Sequence, residues 1–522
     1  MELPVEALLE SAPVRQKYLR AAHILFGGIG ESLKPAVRRR ILISTANLVQ
    51  EGLCVQDFHH FREHCSRRKE WCSDIEPLLS AQGEFDVAER ADAAVQAALS
   101  SLKTPRTSGG EGHNPGAGLS ASGTLGMSRQ EIAKECKLEE RLSLAETFAA
   151  VHDYGSMKDV LKQLSFSVQC IQQATMCSYR LPLLLVQLEV IRRTVEMWLN
   201  AADLEAVRPL VGEPTSSLLA EITNLLVPEQ EGDSSHFLSR QWTATNTFSE
   251  LEDFVLFFSL AHALCLFERR DFEGFVRVFT AEGLRGGTWS PIAAEFIVKR
   301  SASQTASSFG GRISVSGSLP VVRHLRCIVE KNITSGAQLG VMILLCAIAT
   351  WPRAAAMELV TRMDVMQLWE DVPEAHMLVQ AVQKANFAEA IHAASILGFA
   401  YVKTDLFGHR HYEFLLQHFK EAIVLRYINC FTDVDLRKTA MHLSIPLREM
   451  VHIVRELISK DHIKGKIDFV SYVLKMVNDF SPTENLANET RILLDCLHRN
   501  VKCTENLEHS LRLLSLRKHG QM

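Results

Sequence analysis

Two groups of side chains in this sequence have the types and spacing to hold a metal ion. His60, His64, Cys65 and Cys72 lie in one stretch, and the two histidines are four residues apart, which puts both imidazoles on one helix face. Nitrogen and sulfur donors of this kind suit tetrahedral zinc. Arg62, Arg67, Arg68 and Lys69 oppose a cation there, and helical spacing alone does not make four donors converge. The second group is a His-x-His pair at His409 and His411. The better account of the first is a charged surface helix, and of the second a solvated pair. Other chemistries leave no mark. There is no Gly-x-x-x-x-Gly-Lys phosphate loop, no Gly-x-Gly-x-x-Gly after a strand and no Gly-x-Ser-x-Gly elbow. Carboxylates are scattered along helical stretches without forming an acid–base pair. The expectation is a chain with no catalytic residue, no cofactor and no metal.

The elements available to position a site follow from composition. A chain of 522 residues with 47% apolar and 22% charged residues has material for two or three packed units. A net charge of −5 argues against a mainly nucleic-acid-binding protein, which carries a basic excess. None of the 12 cysteines forms a Cys-x-x-Cys pair, so they read as free thiols in a reducing compartment. The first residues lack a basic start followed by an apolar run, and no secretory signal is read there. The apolar windows 181–190 and 341–349 are shorter than the ~20 residues that span a bilayer.

Residues 1–102 read as a helical region, with Val37, Ile41, Leu42, Leu48 and Val49 at near-helical intervals. Residues 103–128 and 301–320 are rich in Gly, Ser, Thr and Pro and read as a flexible linker and a flexible insertion. Between them, 129–300 has helical period almost throughout. Three short stretches look alike: His152-Asp153-Tyr154, Arg270-Asp271-Phe272 and Ala385-Asn386-Phe387. Each fits the turn of a helical hairpin, with the polar residue capping the second helix and the aromatic wedged between the two. The fold class is therefore mainly α, a degenerate helical-repeat solenoid of the TPR kind.

From about residue 412 the pattern changes. Leu415, Phe419, Ala422 and Ile423 stripe one helix, and a polar break follows at Thr432-Asp433. Leu436, Ala440 and Leu443 mark a second, short helix. Pro446 suits the first turn of a third helix, on which Leu447, Met450, Val451, Val454, Leu457 and Ile458 form one stripe. The period then becomes two. Ile463, Gly465 and Ile467 face one way, Lys464, Lys466 and Asp468 the other, and Tyr472-Val473-Leu474 returns as a second strand. That order predicts a winged helix. Its third helix carries Arg448, Arg455 and Lys460, but Glu449, Glu456 and Asp461 offset them, so nucleic-acid binding is the weaker use. The hairpin edge, 463–468, is the stronger one, because unpaired strand groups accept a partner strand.

These residues carry a resemblance. The run from Glu421 to Asp468, with its Ile463-x-Gly465-Lys466-Ile467-Asp468 strand, resembles the PCI domain found in the proteasome lid, the COP-nine signalosome and translation initiation factor three. Residues 344–360 and 384–397 resemble the helical repeats that precede that domain. The likeness covers roughly 336–476, is weak over 129–300, and does not extend to the first hundred residues or the two linkers. Within the family the chain looks most like the subunit-one branch of the signalosome, with the Rpn-seven branch of the proteasome lid as the alternative.

The resemblance implies a PCI domain over 321–476, whose wing joins sister subunits, and a helical tail over 477–522 that enters a shared bundle. In that tail Leu493, Leu497, Leu507, Leu511 and Leu514 lie on apolar stripes. It further implies a scaffold role in removing the modifier NEDD8 from cullins, in nucleus and cytoplasm. The partners would be other PCI subunits and a catalytic metalloprotease subunit, with cullin ligases as possible substrates. The metalloprotease subunit pairs its His-x-His with a downstream Ser and Asp; here Phe419 and Ala422 stand in those places.

Overall fold

The computed structural model describes residues 16–72, 75, 79–103, 129–174, 180–226, 244–288, 290 and 325–476. Both linkers, apart from Lys103, and the whole C-terminal tail lie outside the described residues. The described residues are mainly helical, with three short strands. The chain divides into two compact units, Met1–Lys420 and Glu421–Met522. None of the described helices is long and apolar enough to cross a membrane.

The first unit opens with helices Lys17–Phe26, Pro35–Glu51, Val55–Arg67 and Ala81–Lys103. Pro35 starts the second, where a missing N–H costs nothing. Their apolar stripes meet in one core around Leu25, Ile29, Phe58, Phe61 and Val87, each fully buried. Further along, Gly336–Thr350 is apolar on every side, and all residues from Gln338 to Ala349 are buried. A helix with no polar face must be surrounded. Helices Phe272–Val278, Arg353–Thr361 and Met363–Trp369 and the π-turn Gly398–Val402 pack around it.

A buried charge ties the first of these helices to the last. The Arg20 guanidinium, 1% exposed, donates to Gln338 Oε1 at 2.6 Å, Thr334 Oγ1 at 2.8 Å, Gln16 Oε1 at 2.9 Å and Asp405 Oδ1 at 3.3 Å. The other Asp405 oxygen accepts the backbone N–H groups of Phe407 at 2.8 Å and Gly408 at 2.9 Å. Every member of this network has partners, as a charge in a low-dielectric interior requires. Helix 17–26 is thus pinned to the loop that follows the π-turn.

Beside it the His23 and His409 rings lie 4.0 Å apart. Burial, then the facing His409 ring, lowers the His23 pKa, and burial lowers that of His409, against the favourable pull of Asp405 on both. The unfolded chain therefore binds more protons than the native one once pH falls below the ordinary imidazole value of 6.5. Stability from this pair is present above that value and is lost as pH falls through it. The midpoint of urea unfolding should drop between about pH 7.5 and pH 5.5, and the drop should shrink in His23→Gln.

The three predicted hairpin turns are present and share one construction. His152, Arg270 and Ala385 adopt left-handed backbone at φ +62°, +61° and +55°. The next residue donates its N–H five residues back, as in Asp153 to Phe148 O, Asp271 to Leu266 O and Asn386 to Ala381 O, which closes the first helix with a Schellman turn. The same residue then caps the second helix: the Asp271 carboxylate accepts Gly274 N–H at 2.8 Å and Asp153 accepts Ser156 N–H at 3.0 Å. A fourth copy, at Ala202-Asp203, has no aromatic after it and escapes the sequence pattern. Left-handed backbone costs a non-glycine residue about 1–2 kcal/mol. Ala385→Gly should accordingly stabilise by about 1 kcal/mol, and Asp271→Ala should cost about 1 kcal/mol, both read from urea midpoints.

The second unit has the predicted order of short helix Leu436–His442, longer helix Leu447–Ser459 and a hairpin of β2 (Gly465–Asp468) and β3 (Val473–Met476). One element differs from expectation. The polar break at Thr432-Asp433 leads straight into strand β1 (Asp433–Asp435), and the sheet order is β1-β3-β2, all antiparallel. Val434 is the only apolar residue of β1, so its pairing with Leu474 decides the conformation rather than any pattern of its own. Asp435 ends the strand and caps the next helix through Arg437 N–H at 2.9 Å. On helix 447–459 the buried stripe is Met450, Ile453, Val454 and Leu457; Ile453 adds to the predicted stripe, and Leu447, Val451 and Ile458 are only half-buried. With Ile423, Ile428, Leu443, Ile463 and Leu474 they make the core of this unit.

Candidate functional site

The predicted edge residues fall into distinct roles. Ile463 is 2% exposed and belongs to the core, not to a surface. Gly465 cannot be enlarged: a Cβ there would meet Leu474 Cδ1 at 2.9 Å and the Lys475 carbonyl at 3.0 Å. Ile467 is half-buried opposite Leu474, while Lys464, Lys466 and Asp468 are exposed. Asp468 shapes the turn by accepting Val470 N–H at 2.9 Å and the Ser471 hydroxyl at 2.7 Å. These bonds hold its carboxyl below the usual carboxylate range. The tip they form presents Phe469 and Val470, 58% and 88% exposed.

The hydrogen-bond phase of the sheet identifies which backbone groups are open. Met476 N–H donates to Thr432 O and Leu436 N–H to Tyr472 O, so the even-numbered residues of β3 face β1. Val473 and Lys475 therefore face β2, where their partners are Asp468 and Lys466. Gly465 and Ile467 turn their N–H and C=O groups to the outer side, an edge that no described strand covers. An extended segment of another chain can add there by main-chain bonds. The other predicted partner residues, Leu493, Leu497, Leu507, Leu511 and Leu514, lie outside the described residues.

The third helix offers less to a nucleic acid. Arg448 and Arg455 are exposed, but Lys460 Nζ donates to Glu421 Oε2 at 2.9 Å.

Neither group weighed from the sequence as a metal site assembles among the described residues. His64 is exposed and stacks on Phe26 at 4.6 Å, Cys65 points into the core, and His60 is exposed. The Cys72 side chain lies outside the described residues. His409 contacts the Leu406 carbonyl through Nδ1 at 2.9 Å. His411 accepts from Arg270 Nε at 3.2 Å and meets Glu268 Oε2 at 3.2 Å through its other nitrogen. It is buried rather than solvated, so the solvated-pair expectation is corrected: the two rings serve separate elements of the first unit.

A third group does converge. Cys54 is the N-cap of helix Val55–Arg67, and its Sγ accepts Asp57 N–H at 3.4 Å. His152, set by its left-handed turn, brings Nε2 to 3.6 Å from Asp57 Oδ2. One donor atom from each of the three lies within 4.8 Å of the others. They border a cavity of about 340 Å³ walled also by Tyr18, Glu51, Tyr154, Met197 and Asn200. Burial, then the Asp57 carboxylate, pushes the Cys54 thiol up to about 12, which makes it a poor nucleophile. Burial also raises the Asp57 carboxyl, with His152 pulling it back. Sequence spacing gives only Cys54-x-x-Asp57 as a hint; the third donor comes from a distant turn. Neither a protein-family model nor a curated protein matches this chain.

Proposed function

We propose that this chain is a non-catalytic scaffold subunit of a PCI-type complex, of the signalosome subunit-one kind. In this reading helical hairpins of TPR-like form lead into a PCI winged helix. The wing edge joins sister subunits, and the C-terminal tail enters a bundle they share. The complex would remove NEDD8 from cullins in nucleus and cytoplasm, with the chemistry supplied by a metalloprotease subunit. The observation that carries the reading is the open outer side of β2 beside an exposed Phe469-Val470 tip, on a unit ordered helix, strand, helix, helix, hairpin. Unpaired strand groups next to apolar surface are a liability unless something covers them.

Affinity purification of the tagged full chain from its own cells, followed by mass spectrometry, tests this. Recovery of other PCI subunits with a cullin deneddylase is the expected result. Recovery of proteasome ATPases moves the assignment to the lid, and recovery of neither removes the functional reading.

A further inference from the structure

Cys54, Asp57 and His152 have no task in assembly through the wing, yet they are held together by two separately built elements. Cys54 and Asp57 occupy the N-cap and first turn of helix Val55–Arg67. His152 sits at the tip of the hairpin formed by helices Leu138–Ala150 and Tyr154–Ala174, fixed by the Schellman bonds of that turn. The His152–Asp57 separation of 3.6 Å is longer than a hydrogen bond and makes at most a long ion pair. It does match the spacing of two ligands on one metal. Zinc bonds of about 2.0–2.3 Å in a tetrahedron put neighbouring donors roughly 3.3–3.6 Å apart. All pairs here lie within 4.8 Å, so side-chain rotation closes the rest.

The donor chemistry narrows the ion. Sulfur and imidazole with one carboxylate select zinc over magnesium or calcium, which take oxygen ligands. A thiolate and a carboxylate together balance a divalent cation. We propose that Cys54, Asp57 and His152 bind one zinc ion whose fourth position opens on the cavity beside Tyr18 and Glu51. Binding displaces the thiol proton to solvent as the sulfur–zinc bond forms. The ion clips the N-terminal helices to the first helical hairpin.

The test uses the purified full chain, stripped by a chelator and titrated with zinc, and in parallel with cobalt. Two variants accompany it: Cys54→Ser, and His152→Gly, which suits the φ of +62°. The wild type should hold one more tight zinc per chain than either variant. It should show a thiolate-to-cobalt absorption band that Cys54→Ser lacks, and its Tm should rise with zinc. His152→Gly should weaken affinity by about 10-fold or more. Equal stoichiometry and equal cobalt spectra in the wild type and folded variants would overturn the site. Should Cys54→Ser fail to fold, unchanged zinc affinity in His152→Gly overturns it alone.

Discussion

Replacing Arg20 with methionine should destabilise the first unit by about 3–5 kcal/mol, the largest loss expected from a single side chain here. The deletion leaves Asp405, which is fully buried, without its cation, and removes the donors to Gln16, Gln338 and Thr334. Asp405 still accepts the N–H groups of Phe407 and Gly408, so it does not simply leave the interior. The double variant Arg20→Met with Asp405→Asn should recover part of the loss, because the uncompensated charge rather than the missing bond carries most of the penalty. Urea unfolding followed by helical circular dichroism gives both numbers. A loss below about 1 kcal/mol in the single variant would mean that water reaches the pair.

The second large effect is at Gly340. It lies in the all-apolar helix 336–350, where a Cβ would stand 2.9 Å from Leu368 Cβ, 3.0 Å from Leu368 backbone carbon and 3.1 Å from Trp369 Cβ. Two of those contacts are Cβ atoms and one is backbone, so no flexible side-chain end can yield. Gly340→Val must push helix Met363–Trp369 away, at a cost of about 3 kcal/mol or more. Gly340→Ala should cost less, because alanine favours the helix and adds only one carbon. A reversal of that order in the urea midpoints would contradict the packing described.

Much of the architecture is legible in the residues themselves. The third helix of the second unit follows from its apolar stripe, and the hairpin turns follow from a polar residue that can cap and an aromatic that can wedge. The apolar run 341–349 is too short for a membrane and can only be a buried core. What is not legible depends on partners remote in sequence. Strand β1 has one apolar residue and exists because β3 pairs with it. The turn at Ala202 lacks the aromatic signal, though its backbone repeats the others. Nothing in the sequence marks Arg20 as buried, because its partner Asp405 is remote in the chain. The metal candidates fail for the same reason in reverse: spacing along a helix says which side chains share a face, not what the neighbouring elements demand of them. His411 is taken by Arg270 and Glu268, whereas Cys54 and His152 meet only because a cap and a turn are brought together.

The wing edge is tested most directly by changing one backbone group. Ile467→Pro removes the N–H that Ile467 turns to the outer side, in an edge strand where proline is tolerated. Ile467→Ala removes the same half-buried side chain but keeps the N–H. Each tagged variant is expressed in the parent cells and sized by gel filtration. The account predicts that Ile467→Ala co-elutes with the large complex and that Ile467→Pro, with wild-type helical content, elutes as the free subunit. Co-elution of Ile467→Pro at the full size would show that β2 is not the assembly surface.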